Sequence, residues 1–253
     1  MNDSTAAYRL REQLKKFVGI VFPHVPKSQK EFLGQMFFGI QAGQTTVVSR
    51  IARELDEDIL LKKTEERLSR HLLDEGLAAM VQRAVLAQGA AYVQEDTIVS
   101  IDPSDIQKPY AREGGMPMML LTTLRAARSR RSLRQVVEGY LTRWRVEETI
   151  RFVKQSYEVE DVRLLRFDRL RAMVAIVLAT AYFAMAWLGL GDRLAVLADH
   201  VKRVSRRMFE TPEFFFYAIA DGICRLFARH GRWNGLDGPD KEPEEPCQMI
   251  LAL

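Results

Sequence analysis

The sequence has little of what holds small extracellular domains or metal clusters together. It contains two cysteines, Cys224 and Cys247, and neither belongs to a CxxC pair. A disulfide framework and a cysteine zinc site are therefore excluded as the basis of the fold, and a reducing compartment is expected. The four histidines are scattered along the chain without the spacing of metal ligands.

Low-complexity stretches and a large excess of one charge are also absent. Hydrophobic residues make up 47% and charged residues 28% of the chain, which excludes a collagenous or wholly disordered protein. The formal net charge is +4, and residues 237–246 hold five acids against one base, so the remainder is more basic. A basic body suits a polyanionic partner. Residues 1–16 lack an apolar core, so no secretory signal peptide is expected.

Helical periodicity dominates residues 8–91, where apolar positions recur every three or four residues. Two prolines interrupt this pattern, so one helix is predicted to end before Pro23 and the next to start near Ser28. Residues 1–7 are predicted to be a frayed end. Later segments with the same periodicity lie at 60–73 and 77–86.

A different pattern begins near residue 96. The β-branched run from Asp96 to Asp102 ends in an Asp-Pro turn, and residues 118–124 form a second apolar run, so each is predicted to be a strand. Residues 125–134 then hold five arginines and no acid. A long helix is predicted from about Ser132 to Tyr157.

An apolar run from Ala172 to Leu190 contains no charged residue for 19 positions. That length is just enough for a helix to span a bilayer, which gives one hypothesis of a small membrane protein. The alternative is a buried core helix, and the richness of the run in alanine favours it. Helical pattern continues to about His230 and is followed by a tail rich in glycine, proline and acids.

The long helix carries an apolar stripe beside a row of polar residues. The stripe, at positions 146, 150, 153 and 157, is predicted to pack the helix against the protein. The polar row consists of Tyr140, Arg143, Glu147 and Lys154. At about 100° per residue, these four residues fall within an arc of about 60° around the helix axis, and Arg151 lies beside them. Two interpretations of this face are open: a solvated face with ordinary ion pairs, or a phosphate-binding face around Glu147 as a metal ligand.

Asp102 is a second candidate for chemistry, because it ends a predicted strand. A carboxylate at a strand end is held in place well enough to bind a divalent metal. A plain turn residue before a proline is the alternative reading of the same position. Asp105, in the same turn, is read as a cap or a solvated residue.

These residues together resemble a known family. The spacing Tyr140-x2-Arg143-x3-Glu147-x6-Lys154 matches the Tyr-Arg-Glu-Lys signature of DDE transposases of the insertion sequence 4 family. Residues 140–155 look like that family's block throughout, and residues 100–111 look like the block that holds its first catalytic Asp. The resemblance covers roughly 30–111 and 116–190.

The resemblance implies an RNase H-like fold in which two Asp and one Glu bind two divalent ions, Mg²⁺ or Mn²⁺. It implies that Asp102 and Glu147 are catalytic and metal-binding. It also implies a DNA-binding face near the transposon end, made of Tyr140, Arg143 and Lys154 with Arg151 beside them.

The family's second catalytic Asp is missing. Between Asp102 and Glu147 the only other Asp is Asp105, and only 44 residues separate the two candidates. The chain therefore resembles a transposase with an internal deletion near 112–117, and catalysis is expected to be impaired. Asp161, Asp168 or a second subunit is a weak candidate to replace the missing carboxylate.

The predicted fold is mainly α with a small β remnant. It consists of a truncated RNase H-like core and an N-terminal helical region.

The sequence thus predicts three regions: a helical DNA-binding region at 1–91, the remnant of the catalytic domain at 92–190, and C-terminal helices with an acidic tail at 191–253. The predicted function, inherited from the family, is DNA transposition with double-stranded DNA as the partner. A homodimer is a further hypothesis. The expected location is the bacterial cytoplasm, in association with the nucleoid. A second hypothesis is a non-catalytic DNA-binding protein that antagonises a full-length transposase. The membrane protein is the third.

Overall fold

The computed structural model describes residues 1–93, 130–189, 194–205 and 215–237. Contacts divide the chain into two units, one of Met1–Ala91 with Phe152–Leu253 and one of Tyr92–Arg151. The first unit is called the helical body. The described residues are mainly helical, as predicted. Both predicted strands, the deletion point and Asp102 lie outside the described residues.

Helix α1, Asp3–Val21, begins almost at the N-terminus. The side chain of Asn2 caps it by accepting a hydrogen bond of 2.7 Å from the backbone N–H of Thr5. The prediction that residues 1–7 fray is wrong, because this cap satisfies a backbone donor of the first turn and Ala6 and Ala7 are fully buried.

Helix α2, Lys27–Gly43, follows the two prolines, so the predicted break is confirmed. Helix α3, Val48–Glu54, folds back against α2. The two helices approach closely at Gly39, where an added Cβ would lie 2.6 Å from the Cγ2 atom of Ile51. Glycine at this position permits the contact.

Helices α4, Leu61–His71, and α5, Leu77–Ala90, correspond to the two later segments predicted as helical. Gly76 joins them with a φ of +76°, a left-handed conformation that glycine adopts without strain. Leu68 and Leu72 of α4 are buried in the core. Helix α4 packs on α3.

Helix α6 spans Arg130–Ser156 and is followed by a short 3₁₀ turn, Val159–Asp161. The predicted long helix is confirmed, and it begins two residues before the predicted start. Its last residues, from Phe152, belong to the helical body.

Helix α7, Phe167–Tyr182, continues into a π-helical segment, Phe183–Leu188, and packs on α5. The 22 residues from 167 to 188 are long and apolar enough to cross a membrane, but 56% of the most apolar window is buried inside the protein. Ala175, Ile176 and Ala179 are among its core residues. This burial favours the core-helix interpretation of the apolar run.

Helices α8, Ala195–Val204, and α9, Phe216–His230, complete the body, and the end of α9 agrees with the predicted end of helical pattern at His230. The extended residues after α9 return to α2. The indole N–H of Trp233 donates to Glu31 Oε1 at 2.8 Å, and its ring lies over Gly34.

The core of the helical body combines aromatic side chains from both ends of the sequence. Phe17 of α1 lies 5.6 Å from Phe37 of α2 and 5.3 Å from Phe183 of the π-helical segment, measured between ring centroids. Phe38 of α2 lies 4.7 Å from Phe227 of α9. Residues that precede and follow the predicted catalytic segment therefore share one hydrophobic core.

Candidate functional site

The four signature positions lie on one uninterrupted helix. Helix α6 runs through Tyr140, Arg143, Glu147 and Lys154 without a proline or a described break. The predicted polar face requires a continuous helix, because the angular positions of the four residues are calculated from regular helical geometry. Helix α6 meets this requirement. The side chains of Tyr140 and Arg143 lie outside the description, so their roles stay predictions.

Glu147 is exposed on α6. Arg151, which lies beside Glu147 on the predicted polar face, contacts another acid, Glu148. Nη1 of Arg151 donates to Glu148 Oε2 at 2.6 Å, which is an i, i+3 ion pair. The Arg151 side chain is 59% exposed. The Glu148 side chain is only 13% exposed, so the pair is half-buried, and the exposed part of the Arg151 side chain is available to a further anion.

The apolar stripe of α6 is buried only at its C-terminal end. Val153 and Tyr157 are buried, whereas Val146 is 45% and Ile150 is 53% exposed. The prediction that the whole stripe packs against the protein is therefore wrong for its first two members. The physical reason is that periodicity identifies an apolar face but does not supply a surface to cover it.

Lys154 lies at the last turn of α6 and reaches past the helix end. Its Nζ atom is 3.0 Å from Glu160 Oε1, and both side chains are largely exposed. The charged end of Lys154 is thus directed toward the 3₁₀ turn that follows the helix. Because both partners are solvated, this ion pair is easily broken by a competing phosphate.

The loop between α2 and α3, together with α3 itself, contacts the turn that follows α6. The Thr46 hydroxyl, fully buried between α2 and α3, donates to the backbone carbonyl of Glu158 at 3.0 Å. Arg50 of α3 donates to the Glu158 carboxylate at 3.1 Å. Glu158 has a φ of +46°, which is unusual for a residue with a side chain and is maintained by these contacts.

A buried tyrosine completes this anchor. Tyr157 is fully buried and packs edge-on against Phe152 at 5.9 Å. Burial raises the pKa of the Tyr157 phenol well above its usual range, while the nearby Gln41 side chain opposes that shift. Gln41 also donates from Nε2 to the carbonyl of Thr180, so it links α2 to α7.

Sequence reasoning did not single out these anchoring residues. Thr46 and Glu158 are 112 residues apart, and Arg50 and Glu158 are 108 apart. No local pattern connects positions so distant in the chain. The left-handed conformation of Glu158 has no signal in its residue type, since glycine and asparagine are the usual residues there.

The described residues do not fit a divalent metal by themselves. No group of three or more His, Cys, Asp or Glu that could hold an ion occurs within the described parts of the chain. Glu147 provides one exposed carboxylate, and Asp161 and Asp168, the weak replacements, are exposed residues outside any such group. Asp102 lies outside the description. The structure accordingly supports no reaction step through a metal.

Comparison with known proteins gives one match. Residues 8–184 match the family described as Transposase DDE domain. No curated protein and no solved structure matches the chain. The match covers well over half of the 253 residues and includes most of α1, all of helices α2 to α7 and the segment with Asp102. The chain belongs to the Transposase DDE domain family.

Proposed function

We propose that the protein is an insertion-sequence transposase, of the insertion sequence 4 type, that retains DNA binding and has impaired catalysis. The observation that carries this proposal is the uninterrupted helix α6, which presents the Tyr-Arg-Glu-Lys spacing and is anchored at its C-terminal end in the helical body. The family match supports a transposase lineage.

DNA would be held by side chains on α6. Arg151 and Lys154 are exposed cations. Glu160, the partner of Lys154, is also exposed, so a backbone phosphate can replace it as the counterion. Glu148, the partner of Arg151, is only 13% exposed and stays in place, and the 59% exposed Arg151 side chain would contact a phosphate in addition to it. Tyr140 and Arg143 would extend this contact along the helix. The bound duplex would be a transposon end, and the protein would act in the bacterial cytoplasm at the nucleoid, with a homodimer as the assembly that pairs two ends.

Impaired catalysis follows from the number of carboxylates. Asp102 and Glu147 would supply two ligands for Mg²⁺ or Mn²⁺, whereas two-metal phosphoryl transfer depends on ligands that clamp both the attacking and the leaving oxygen. The sequence between these residues contains no Asp other than Asp105. Residual weak metal binding is compatible with this set of ligands, but efficient strand transfer is not.

DNA binding by α6 can be tested by titrating a labelled duplex with the protein at several salt concentrations. We expect affinity to fall steeply with salt, and the slope of log K against log salt to become shallower by about two in Arg151→Ala/Lys154→Ala, as each lost phosphate contact removes about 0.9. Arg53→Ala/Arg83→Ala is the matched control, because both arginines are exposed and lie on α3 and α5. Equal slopes for all three proteins would contradict the role of α6.

Catalytic impairment has a separate test. The purified protein is incubated with a duplex and Mg²⁺ or Mn²⁺, and strand cleavage is followed on a denaturing gel. We expect no cleavage above that of Glu147→Ala. Metal-dependent cleavage that disappears in Glu147→Ala would show instead that the active centre is intact.

The missing second Asp favours a related candidate function. A chain that binds transposon ends without cutting them would compete with an active full-length transposase, or assemble with it into inactive complexes. The test is to add the protein in excess to a transposition reaction of such an enzyme. Unchanged transposition at excess would contradict this function while leaving DNA binding unaffected.

A further inference from the structure

The segment that connects α6 to α7 is rich in arginine. Residues 163–171, called the arginine segment, contain four arginines and one acid, Asp168. Arg163 and Arg166 are exposed, and Arg169 is partly buried in the first turn of α7. The segment lies outside the Tyr-Arg-Glu-Lys spacing and within the helical body.

In the described parts of the chain, none of these four arginines makes an ion pair with an acid. Arg151 and Lys154, by contrast, each pair with a glutamate. Nε of Arg169 is buried and has no hydrogen-bond partner. Uncompensated like charges repel each other, so this part of the surface is stabilised by any polyanion that binds to it.

A cleft beside α4 extends the basic surface. Arg169 lines it together with Lys62, Ser69 and Arg70, and its volume is about 460 Å³. Arg70 is exposed and also makes no ion pair with a described residue. The acids on this cleft are Glu65 and Glu66, and Glu66 is 4.0 Å from Lys62. Two unpaired guanidinium groups thus face one concave surface.

Exposed apolar side chains alternate with the arginines. Leu165 is fully exposed and Phe167 is 70% exposed. The guanidinium of Arg171 lies over the Phe167 ring at 5.7 Å. Proteins that grip a duplex commonly combine phosphate-binding cations with apolar side chains that lie against sugars or between base steps.

We propose that the arginine segment, with Arg70, is a second DNA-contacting surface, distinct from the face of α6. This inference rests on the proposed DNA binding and adds the place where a further stretch of duplex backbone is held. The forked guanidinium groups fit phosphate oxygens in a bidentate manner.

DNA fits this surface better than an anionic membrane does. A helix that lies on a bilayer inserts a continuous apolar face. Helix α7 instead buries that face in the core through residues such as Met173 and Ile176. Among the described residues of the arginine segment and α7, the large apolar side chains that remain exposed are Leu165, Phe167 and Leu178. Three separate side chains do not make the continuous apolar face that stable insertion needs.

The test compares three forms of the full chain by fluorescence anisotropy with a labelled duplex over 50–200 mM salt, a range chosen for its large effect on phosphate contacts. We expect Arg163→Ala/Arg166→Ala to bind about tenfold more weakly and to reduce the salt slope by about two. Arg53→Ala/Arg83→Ala removes the same charge elsewhere and is expected to change the slope little. Arg163→Lys/Arg166→Lys is expected to restore most of the slope, since lysine keeps the charge.

The outcomes separate this inference from the proposed function. If the wild-type protein binds the duplex and both alanine variants match each other, the arginine segment is not a DNA surface, while DNA binding by the protein stands. If the wild-type protein does not bind duplex, both proposals are overturned. Binding to phosphatidylglycerol vesicles that is lost in Arg163→Ala/Arg166→Ala, with unchanged DNA binding, would assign the surface to membranes. Circular dichroism confirms that each variant is folded.

Discussion

Arg50 and Glu158, 108 residues apart in the sequence, form an ion pair of 3.1 Å beside the turn that ends helix α6. The same turn accepts a hydrogen bond from Thr46 through its backbone carbonyl. The loop between α2 and α3 and the helix α3 therefore hold the turn through which the chain leaves the signature helix.

The two contacts to Glu158 should differ in energetic weight. Thr46→Val keeps the side-chain volume but leaves a buried carbonyl without its donor, so we expect a loss of about 1–2 kcal/mol in the free energy of unfolding. Arg50→Ala breaks a pair whose side chains are 54% and 43% exposed, and should cost less than about 1 kcal/mol. Urea unfolding followed by circular dichroism measures both. An equal or larger loss in Arg50→Ala would contradict the assigned importance of the buried hydrogen bond.

The close contact between α2 and α3 predicts opposite effects for two glycine substitutions. Gly39→Ala places a methyl group 2.6 Å from Ile51 Cγ2 and should destabilise the protein by about 1–3 kcal/mol. Gly19→Ala, in α1, meets nothing within 4 Å and should stabilise it by about 0.5–1 kcal/mol. Thermal melts of the two variants provide the comparison, and a shift of both melting temperatures in the same direction would rule out a steric role for Gly39.

Burial of Tyr157 predicts a loss of stability in alkali. Its folded-state pKa is raised, so the unfolded chain releases the phenol proton first, and stability falls as the pH rises above about 10. Relative to Tyr157→Phe, the wild-type protein should lose about 1.4 kcal/mol of unfolding free energy between pH 8 and pH 11. Tyr92→Phe, which removes the same hydroxyl from an exposed tyrosine, is the matched control. A pH-independent difference for Tyr157→Phe would mean that the phenol ionises freely in the folded state.

Trp233 predicts that residues after α9 are required for stability. Its ring packs over Gly34 and lies 5.6 Å from Phe38, so Trp233→Ala should cost about 3–5 kcal/mol. The adjacent Arg232→Ala removes only an exposed pair with Asp58 and should have little effect. Denaturant unfolding of both variants distinguishes a structural C-terminal segment from a passive one, for which the two substitutions would be equally mild.

Local signals in the sequence predicted the helices well. Pro23 fixed the end of α1, and Gly76 separates α4 from α5, because proline and glycine act on the backbone of their immediate neighbours. The start of α1 was missed although Asn2 is a favoured N-cap residue. The exposure of Val146 and Ile150 was also missed, since the stripe's spacing carries no information about the surface that faces it.

The candidate site was accessible from the sequence only in part. The spacing of Tyr140, Arg143, Glu147 and Lys154 required a continuous helix, and α6 is one. The roles of these residues and of Asp102 stay predictions. The anchor formed by Thr46, Arg50 and Glu158 could not be predicted, because it depends on tertiary contacts between residues more than 100 positions apart.

The helical body holds both ends of the segment between Ala91 and Phe152, because the chain leaves the body after Ala91 and re-enters it at Phe152. The entropy of joining two held ends grows only logarithmically with the length of a flexible connection, by about 0.6 kcal/mol for each doubling. A change in the length of the intervening segment should therefore cost the helical body little stability.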